Sequence, residues 1–94
     1  MDEKRPTQRL DKWLWHARFY KTRTLAADMV SRGKVRVNAR IVKKPAASIG
    51  PGDILTLAQG REIRVIRILG VPERRGPATE AQANYEDFEQ PNGA

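Results

Sequence analysis

The spacing of the apolar residues changes at Gly33, and this change constrains the fold more than any other feature. Before Gly33 the apolar residues recur every three or four positions, which is the spacing of an amphipathic helix. After it, Val35 and Val37 alternate with polar residues, which is the spacing of a half-buried strand. We therefore expect an α+β fold: two N-terminal helices packed on a small, mostly antiparallel sheet, followed by a short C-terminal helix.

Two helices are predicted in the first third of the chain, over about residues 8–18 and 23–32. Thr7 and Thr22 are suited to cap them, because a threonine hydroxyl accepts a free backbone N–H at a helix start. Gly33 is suited to end the second helix. The side chains expected to face the core are Leu10, Trp13, Leu14 and Ala17 in the first helix, and Leu25, Ala26, Met29 and Val30 in the second.

Short strands joined by turns are predicted from residue 35 onward. Turn-forming residues stand at Gly50-Pro51-Gly52-Asp53 and at Gln59-Gly60, between apolar runs typical of strands. An acidic helix is expected over about residues 79–88. The predicted organisation is a disordered N-terminus over residues 1–7, one folded domain over 8–70, and a loop with an acidic C-terminal extension over 71–94.

Positive charge is concentrated in one part of the chain. The formal net charge is +7, but residues 9–44 hold eleven Lys or Arg against two Asp, a net of +9. Residues 71–94 hold two Arg against five acids, a net of −3. So uneven a distribution predicts an anionic partner such as nucleic acid, an anionic membrane surface or an acidic protein.

Enzymatic, metal-binding and membrane-spanning functions find no support in the sequence. His16 is the one histidine and is expected at the surface, and no cysteine, paired-carboxylate cluster or glycine-rich phosphate loop accompanies it. We therefore expect no catalytic residues, metal or cofactor. No apolar run approaches the ~18 residues of a membrane span, and the N-terminus lacks a signal-peptide core. The expected compartment is the cytoplasm.

Cations occupy three places that could present them to one ligand: a helix face, the start of a helix, and one face of a strand. A helix start favours phosphate, because its backbone N–H groups are free and its dipole is positive. Asp11 and Asp28 lie among these cations and are expected to orient them or to lower the local charge. The candidate residues are Arg9, Lys12, Lys21, Thr22, Arg23, Lys34 and Arg36, with Lys43 and Lys44 in the same basic segment.

Trp15 cannot share the core stripe that contains Trp13. It follows Trp13 by two positions, which turns it by roughly 200° around the helix. We expect the C-terminal segment to cover Trp15, with Tyr85 and Phe88 as the contacting side chains; stacking on an RNA base is the alternative.

An ordered set of short motifs carries a family resemblance. Arg9-Leu10-Asp11, Leu14, Thr22-Arg23, the run 33–38 and Gly52-Asp53-Ile54 resemble the RNA-binding domain (αL motif) first defined in the small-subunit ribosomal protein S-four. The longer strings 9–15 and 17–23, and Arg74 to Ala78 before an acidic segment with Tyr85, are similar to a narrower family. That family is the ribosome-associated small bacterial heat-shock protein of about fifteen kilodaltons.

The resemblance implies a protein that binds ribosomal RNA, engages large ribosomal subunits carrying a nascent chain on tRNA, and aids the recycling of stalled complexes. The folded domain would be of the αL type. By position, the RNA-contact roles fall on Arg9, Lys12, Thr22, Arg23, Lys34, Arg36, Asn38 and Arg40. Ala39 departs from the family, which has Gly there. A left-handed turn would cost Ala roughly 1 kcal/mol, so a different turn type is expected.

Two other functions stay open on sequence grounds. The chain could be a stand-alone module acting in trans with an RNA-modifying enzyme, or a general nucleic-acid-binding protein that also takes DNA. A mixed helix-and-strand surface suits the irregular shape of folded RNA better than a regular duplex. The expected partner is therefore structured RNA, with tRNA and DNA left open, no membrane, and a monomeric protein.

Overall fold

The structure, a computed structural model, describes residues 6–88. The predicted disordered N-terminus falls mainly on residues 1–5, which lie outside the described residues, as do residues 89–94. In chain order the elements are β1 (Gln8–Arg9), α1 (Leu10–His16), α2 (Arg23–Ser31), β2 (Val35–Val37), β3 (Arg40–Ile41), β4 (Ser48–Ile49), β5 (Ile54–Gln59), β6 (Glu62–Ile68), α3 (Ala78–Gln82) and β7 (Tyr85–Asp87).

One antiparallel sheet, in the order β3-β2-β5-β6-β7, carries the core on one face. Leu55 of β5 lies opposite Ile66 of β6, and both are fully buried in one cluster with Trp13 and Leu14 of α1. A second antiparallel pair joins β1 to β4. The predicted α+β fold, two helices on a mostly antiparallel sheet, is confirmed.

The first helix is shorter than the sequence predicts. Gln8 and Arg9 are extended because they pair with Ile49 and Ser48 of β4, so α1 begins at Leu10. Arg9 occupies the N-cap position without a side-chain cap bond. The predicted cap at Thr7 is therefore wrong: strand pairing, rather than a cap, fixes the start of this helix.

The second helix has the predicted ends. The Thr22 hydroxyl oxygen accepts a hydrogen bond from Leu25 N at 3.0 Å, and Gly33 adopts a left-handed φ of +77° just after the helix. The predicted inward position of Leu25 is wrong, since its side chain is 40% exposed. Only the narrow stripe of Ala26 and Val30 is fully buried on α2.

The acidic extension is not the single helix predicted over residues 79–88. It forms one short helix, α3, and then the strand β7, which pairs with β6. The carbonyl oxygen of Asn84 accepts bonds from Leu69 N and Gly70 N, which starts this pairing. The Tyr85 ring then packs 4.7 Å from the Phe19 ring centroid. A free sheet edge and an aromatic contact thus override the local helical pattern.

The C-terminal segment contacts Trp15, as predicted, but through a different residue. The Arg75 guanidinium lies 5.9 Å from the Trp15 ring centroid, and its Nε donates to the Trp15 carbonyl oxygen. Tyr85 packs against Trp13 instead, with ring centroids 6.4 Å apart. The predicted contact of Tyr85 and Phe88 with Trp15 assumed a helix where the chain forms a strand.

Residues 70–76 run along α1 and bury a side of it that the sequence predicts to be exposed. His16 is 3% exposed, and its Nδ1 lies 3.0 Å from the carbonyl oxygen of Pro72. Trp13 Nε1 donates to the Gly70 carbonyl oxygen at 2.8 Å. The predicted surface position of His16 is wrong, because the sequence alone could not show that a distant segment returns here.

The turn between β2 and β3 keeps its left-handed geometry despite Ala39. Asn38 and Ala39 have φ values of +52° and +75°. Two successive left-handed residues make a type I′ turn, whose twist matches that of the strands it joins. The expected change of turn type is therefore wrong: the chain keeps the turn and carries the strain at Ala39.

We expect Ala39→Gly to raise the free energy of unfolding by about 1 kcal/mol, because glycine adopts this φ without the Cβ clash. For a domain of this size that raises the melting temperature by roughly 4–8 °C, measurable by thermal unfolding. Ala27→Gly, the same change inside α2, is the matched control and should lower stability by about 1 kcal/mol. Equal destabilisation by both would contradict the strain at Ala39.

Candidate nucleic-acid interface

A buried carboxylate fixes two arginines at the junction of α1 and α2. Asp11 is 3% exposed, although it is charged and belongs to the first turn of α1. Its Oδ1 accepts a bond from Arg9 Nε at 3.1 Å and its Oδ2 one from Arg9 Nη2 at 3.0 Å. Arg23 Nε, from the first residue of α2, lies 3.7 Å from the same Oδ2. We call Arg9 and Arg23 the arginine pair.

The arginine pair stays accessible although its partner is buried. The side chains of Arg9 and Arg23 are 50% and 41% exposed, while the Asp11 side chain is 4% exposed. The hydrogen bond from Arg9 to Asp11 raises the pKa of the Arg9 guanidinium above its ordinary value. Both guanidinium groups are thus held in place while exposed surface remains to bind an anion.

The segment after β3 brings two lysines toward this junction. Val42 N donates to the Val35 carbonyl oxygen at 3.1 Å, which continues the hairpin past β3. The segment then crosses to α1, where Asp11 N donates to the Pro45 carbonyl oxygen at 3.1 Å. Between these two bonds stand the exposed residues Lys43 and Lys44. They therefore lie on the path from the sheet to the arginine pair.

Lys34 and Arg36 lie on the face of the sheet that the helices leave open. Val35, between them, is fully buried on the core side, and side chains alternate along a strand. Arg36 stands opposite Thr56 of β5 in the register of the sheet. Both cations are exposed, so the strand presents them to solvent as predicted.

Asn38 has a structural role that the sequence did not indicate. Its Nδ2 donates to Asp53 Oδ1 at 3.0 Å, and its Oδ1 accepts from Ile54 N at 2.9 Å. Asn38 N also donates to the Ile54 carbonyl oxygen. These bonds fix the tip of the β2–β3 hairpin to the start of β5; an RNA contact by Asn38 stays a prediction.

The remaining predicted residues surround these groups without converging on one point. Thr22 caps α2 beside Arg23, Lys21 is exposed just before it, and Lys12 is half-buried on α1. Arg40 lies on β3 opposite Val37 and is exposed. We call the full predicted set the basic face: Arg9, Lys12, Lys21, Thr22, Arg23, Lys34, Arg36, Asn38, Arg40, Lys43 and Lys44.

The two other cations of the basic segment have partners within the fold. Arg32 forms an ion pair with Asp28 at 3.0 Å, one helical turn away. Arg18 adopts a left-handed φ of +68° at the end of α1 and donates to the Gly76 carbonyl oxygen. Both guanidinium groups thus have a partner within the fold, although the Arg32 side chain is 65% exposed.

Acids of the C-terminal extension pair with arginines outside the basic face. Asp87 accepts from Arg64 at 2.9 Å and Glu80 from Arg74 at 2.9 Å, while Glu86 lies 3.7 Å from Arg67. The extension therefore neutralises positive charge on β6 and in the loop after it. The largest excess of positive charge therefore stays in residues 9–44.

Two classes of site are absent from the part of the chain that the structure describes. Within residues 6–88, no three His, Cys, Asp or Glu side chains lie close enough together to hold a metal ion. Within the same residues, no helix has the length and apolar character needed to cross a membrane.

Comparison with known proteins identifies the family. The S4 domain model matches residues 8–55. Heat shock protein 15 of Escherichia coli K12 is 47% identical over 79 residues, which cover 84% of this chain and 59% of that protein. The RQC P-site tRNA stabilizing factor of Listeria innocua is 34% identical over 76 residues, covering 79% of this chain and 82% of that protein.

A solved relative has the same fold. The trimeric structure of Vibrio cholerae heat shock protein 15 superimposes with a TM-score of 0.84 and 46% identity, covering 88% of this chain and 83% of that one. The oligomeric state of the present chain, expected from its sequence to be monomeric, stays a prediction. The chain spans about 60% of the length of its curated heat shock protein 15 relatives. On this evidence it belongs to the S4 domain family and, within it, to the heat shock protein 15 group.

Proposed function

We propose that this protein binds structured ribosomal RNA through the basic face and acts in the cytoplasm on large ribosomal subunits that carry peptidyl-tRNA, aiding the recycling of stalled complexes. The observation that carries the proposal is the arginine pair, two planar cations fixed by one buried carboxylate. Fixed guanidinium groups suit phosphates held at a fixed spacing, as they are in folded RNA. The name of one relative, a P-site tRNA stabilizing factor, supports the part of the proposal that concerns tRNA.

The proposed action is binding rather than catalysis, without a metal or cofactor. A protein that binds one state of an assembly more tightly than another shifts the population toward that state. Asp11 fixes the arginine pair, and Arg36 and Arg40 belong to strands of the sheet. This part of the basic face is therefore preorganised for a preformed RNA shape. The protein would then act only by binding one state of the ribosomal particle and raising the population of that state.

Asp11→Asn separates an organised site from general positive charge. The substitution raises the net charge by one, so diffuse electrostatics alone would strengthen RNA binding. We expect the opposite, a loss of about 1–2 kcal/mol of binding free energy, because Asn accepts from Arg9 less strongly and releases Arg23. Binding of a structured ribosomal RNA fragment, measured by fluorescence anisotropy, checks this, with circular dichroism to verify folding.

The chain offers a matched control for this variant. Asp28→Asn makes the same charge change at an exposed ion pair with Arg32 on α2. It should leave affinity unchanged or raise it slightly, since exposed pairs contribute little to structure. If both variants bind RNA more tightly than the original protein, the arginine pair does not organise the interface.

The proposed partner is tested on ribosomal particles. We expect the protein to co-sediment with large subunits carrying peptidyl-tRNA about tenfold better than with empty large subunits or intact ribosomes. That preference requires only ~1.4 kcal/mol of differential contact, within reach of one or two charge-assisted hydrogen bonds. Equal co-sedimentation with all three particles, or binding to small subunits alone, would remove the ribosomal part of the proposal and leave RNA binding in place.

A further inference from the structure

The open face of the sheet contains a groove outside the junction of α1 and α2. It has a volume of about 250 Å³ and lies across β2, β5 and β6, next to the left-handed Gly33. A volume below the roughly 300–1,000 Å³ of typical small-molecule sites suits a single planar group. The groove is part of a regular sheet, so its backbone is fixed before any ligand arrives.

The floor of the groove is apolar. Ala58 of β5 lies directly opposite Ile63 of β6, and the alternation with the buried Leu57 turns both side chains toward solvent. Ile63 is 67% exposed, and the small side chain beside it leaves the depression. On the other face, the Tyr20 hydroxyl donates to the Ala58 carbonyl oxygen and fixes the floor from below.

The rim of the groove is cationic. Lys34 and Arg36 both line it, and the residues that line it include no acid. Lys43 stands close by: a Cβ added to Gly33 would come within 3.2 Å of the Lys43 Cε. Thr56, opposite Arg36, adds a hydroxyl that can donate or accept. An apolar floor with cations at one side matches a nucleotide, whose base is flat and whose phosphate is anionic.

We propose that this groove receives one unpaired nucleotide of the bound RNA, with its base on Ala58 and Ile63 and its phosphate between Lys34 and Arg36. The proposal rests on the proposed RNA-binding function and adds to it a preference for RNA with an extruded base. Unpaired bases are what proteins most readily distinguish in folded RNA. The segment with Lys43 and Lys44 links the groove to the arginine pair, so one RNA can reach both.

The probes are a fully paired RNA hairpin and the same hairpin with one bulged adenosine. We expect the protein to bind the bulged hairpin about tenfold more tightly, equivalent to removing roughly 50 Å² of apolar surface from water. Ile63→Ser should reduce this preference to near onefold while leaving affinity for the paired hairpin within twofold. Leu69→Ser, the same kind of change at another exposed apolar residue, is the matched control and should keep the preference.

The outcomes distinguish this proposal from the function on which it rests. Equal binding of both hairpins by the original protein, with binding still weakened by Asp11→Asn, overturns the groove and keeps the RNA-binding function. Failure to bind either hairpin or ribosomal RNA overturns both. Sedimentation of the same samples adds a third result: if Ile63→Ser dissociates an oligomer and leaves the preference intact, the face is a contact between copies of this chain and the nucleotide site is wrong.

Discussion

Arg23→Ala and Arg36→Ala are each expected to weaken binding of structured ribosomal RNA by about 1–3 kcal/mol, which is roughly 5- to 150-fold. Each removes a guanidinium from a different part of the basic face, Arg23 from the arginine pair and Arg36 from the open sheet. Arg36 is exposed, and Asp11 keeps its two bonds from Arg9 when Arg23 is removed, so thermal stability should change little. Fluorescence anisotropy with a labelled ribosomal RNA fragment measures the first effect and thermal unfolding the second.

The control for these variants depends on the structure. On sequence grounds Arg64 is an attractive choice, because it lies outside residues 9–44. In the structure it donates to Asp87 and Gln59, and its guanidinium lies 5.3 Å from the Phe19 ring centroid, so its loss would disturb folding. Arg74→Ala makes the same charge change with little effect on folding, because Arg74 is 69% exposed and pairs with Glu80, which is itself exposed. Equal losses from all three variants would indicate diffuse electrostatics.

Truncation after Pro72 is expected to destabilise the domain by about 3–5 kcal/mol, a large part of the stability of a small domain. It removes β7 from the edge of β6 and takes the Tyr85 ring away from Trp13 and Phe19. Urea unfolding measures the loss. Tryptophan emission should shift to the red, since Trp15 loses the Arg75 guanidinium that lies over its ring.

Tyr85→Ala tests the same contact without shortening the chain. It should cost about 2–3 kcal/mol, because the ring is only partly buried and the backbone pairing of β7 remains. The emission shift should be smaller than in the truncated protein. A truncated protein with the original unfolding midpoint and emission would show that the extension contributes nothing to the core.

The parts of the fold that the sequence predicts well depend on local interactions. The Thr22 cap and the Gly33 stop each involve backbone within three or four residues, so the local sequence contains the whole signal. The same holds for the alternation of Val35 and Val37 and for the turn at Gly50-Pro51-Gly52-Asp53, in which Asp53 N donates to the Gly50 carbonyl oxygen.

Several parts that the sequence mispredicts depend on partners far along the chain. His16 is buried by Pro72, which follows it by 56 residues, and Gln8 is extended because it pairs with Ile49. β7 is three residues long and has no periodicity of its own, so only the free edge of β6 makes it a strand. Neither burial by a distant segment nor pairing at a sheet edge changes the local spacing of apolar residues, so that spacing could not predict them.

The candidate site also combines features that the local sequence indicates with features that depend on distant parts of the chain. The sequence indicates that Asp11 lies among cations, where it would either orient some of them or lower the local charge. That it holds Arg9 and Arg23 depends on how α1 crosses α2 and on the segment that ends at Pro45. The groove beside Lys34 was not predicted, because it depends on the register that sets Ala58 against Ile63.

The position of β7 has a consequence for behaviour at high concentration and under heat. Without it, the sheet would end in β6, a seven-residue strand with four isoleucine or valine residues and a row of unpaired backbone groups. Such an edge is a template for strands of other molecules, and therefore for aggregation. β7 pairs with residues 66–68 of this edge and bears Glu86 and Asp87, and Phe88 N donates to the Val65 carbonyl oxygen. The opposite edge of the sheet is the two-residue β3 with Arg40. Short, charged outer strands of this kind keep a concentrated protein from polymerising edge to edge.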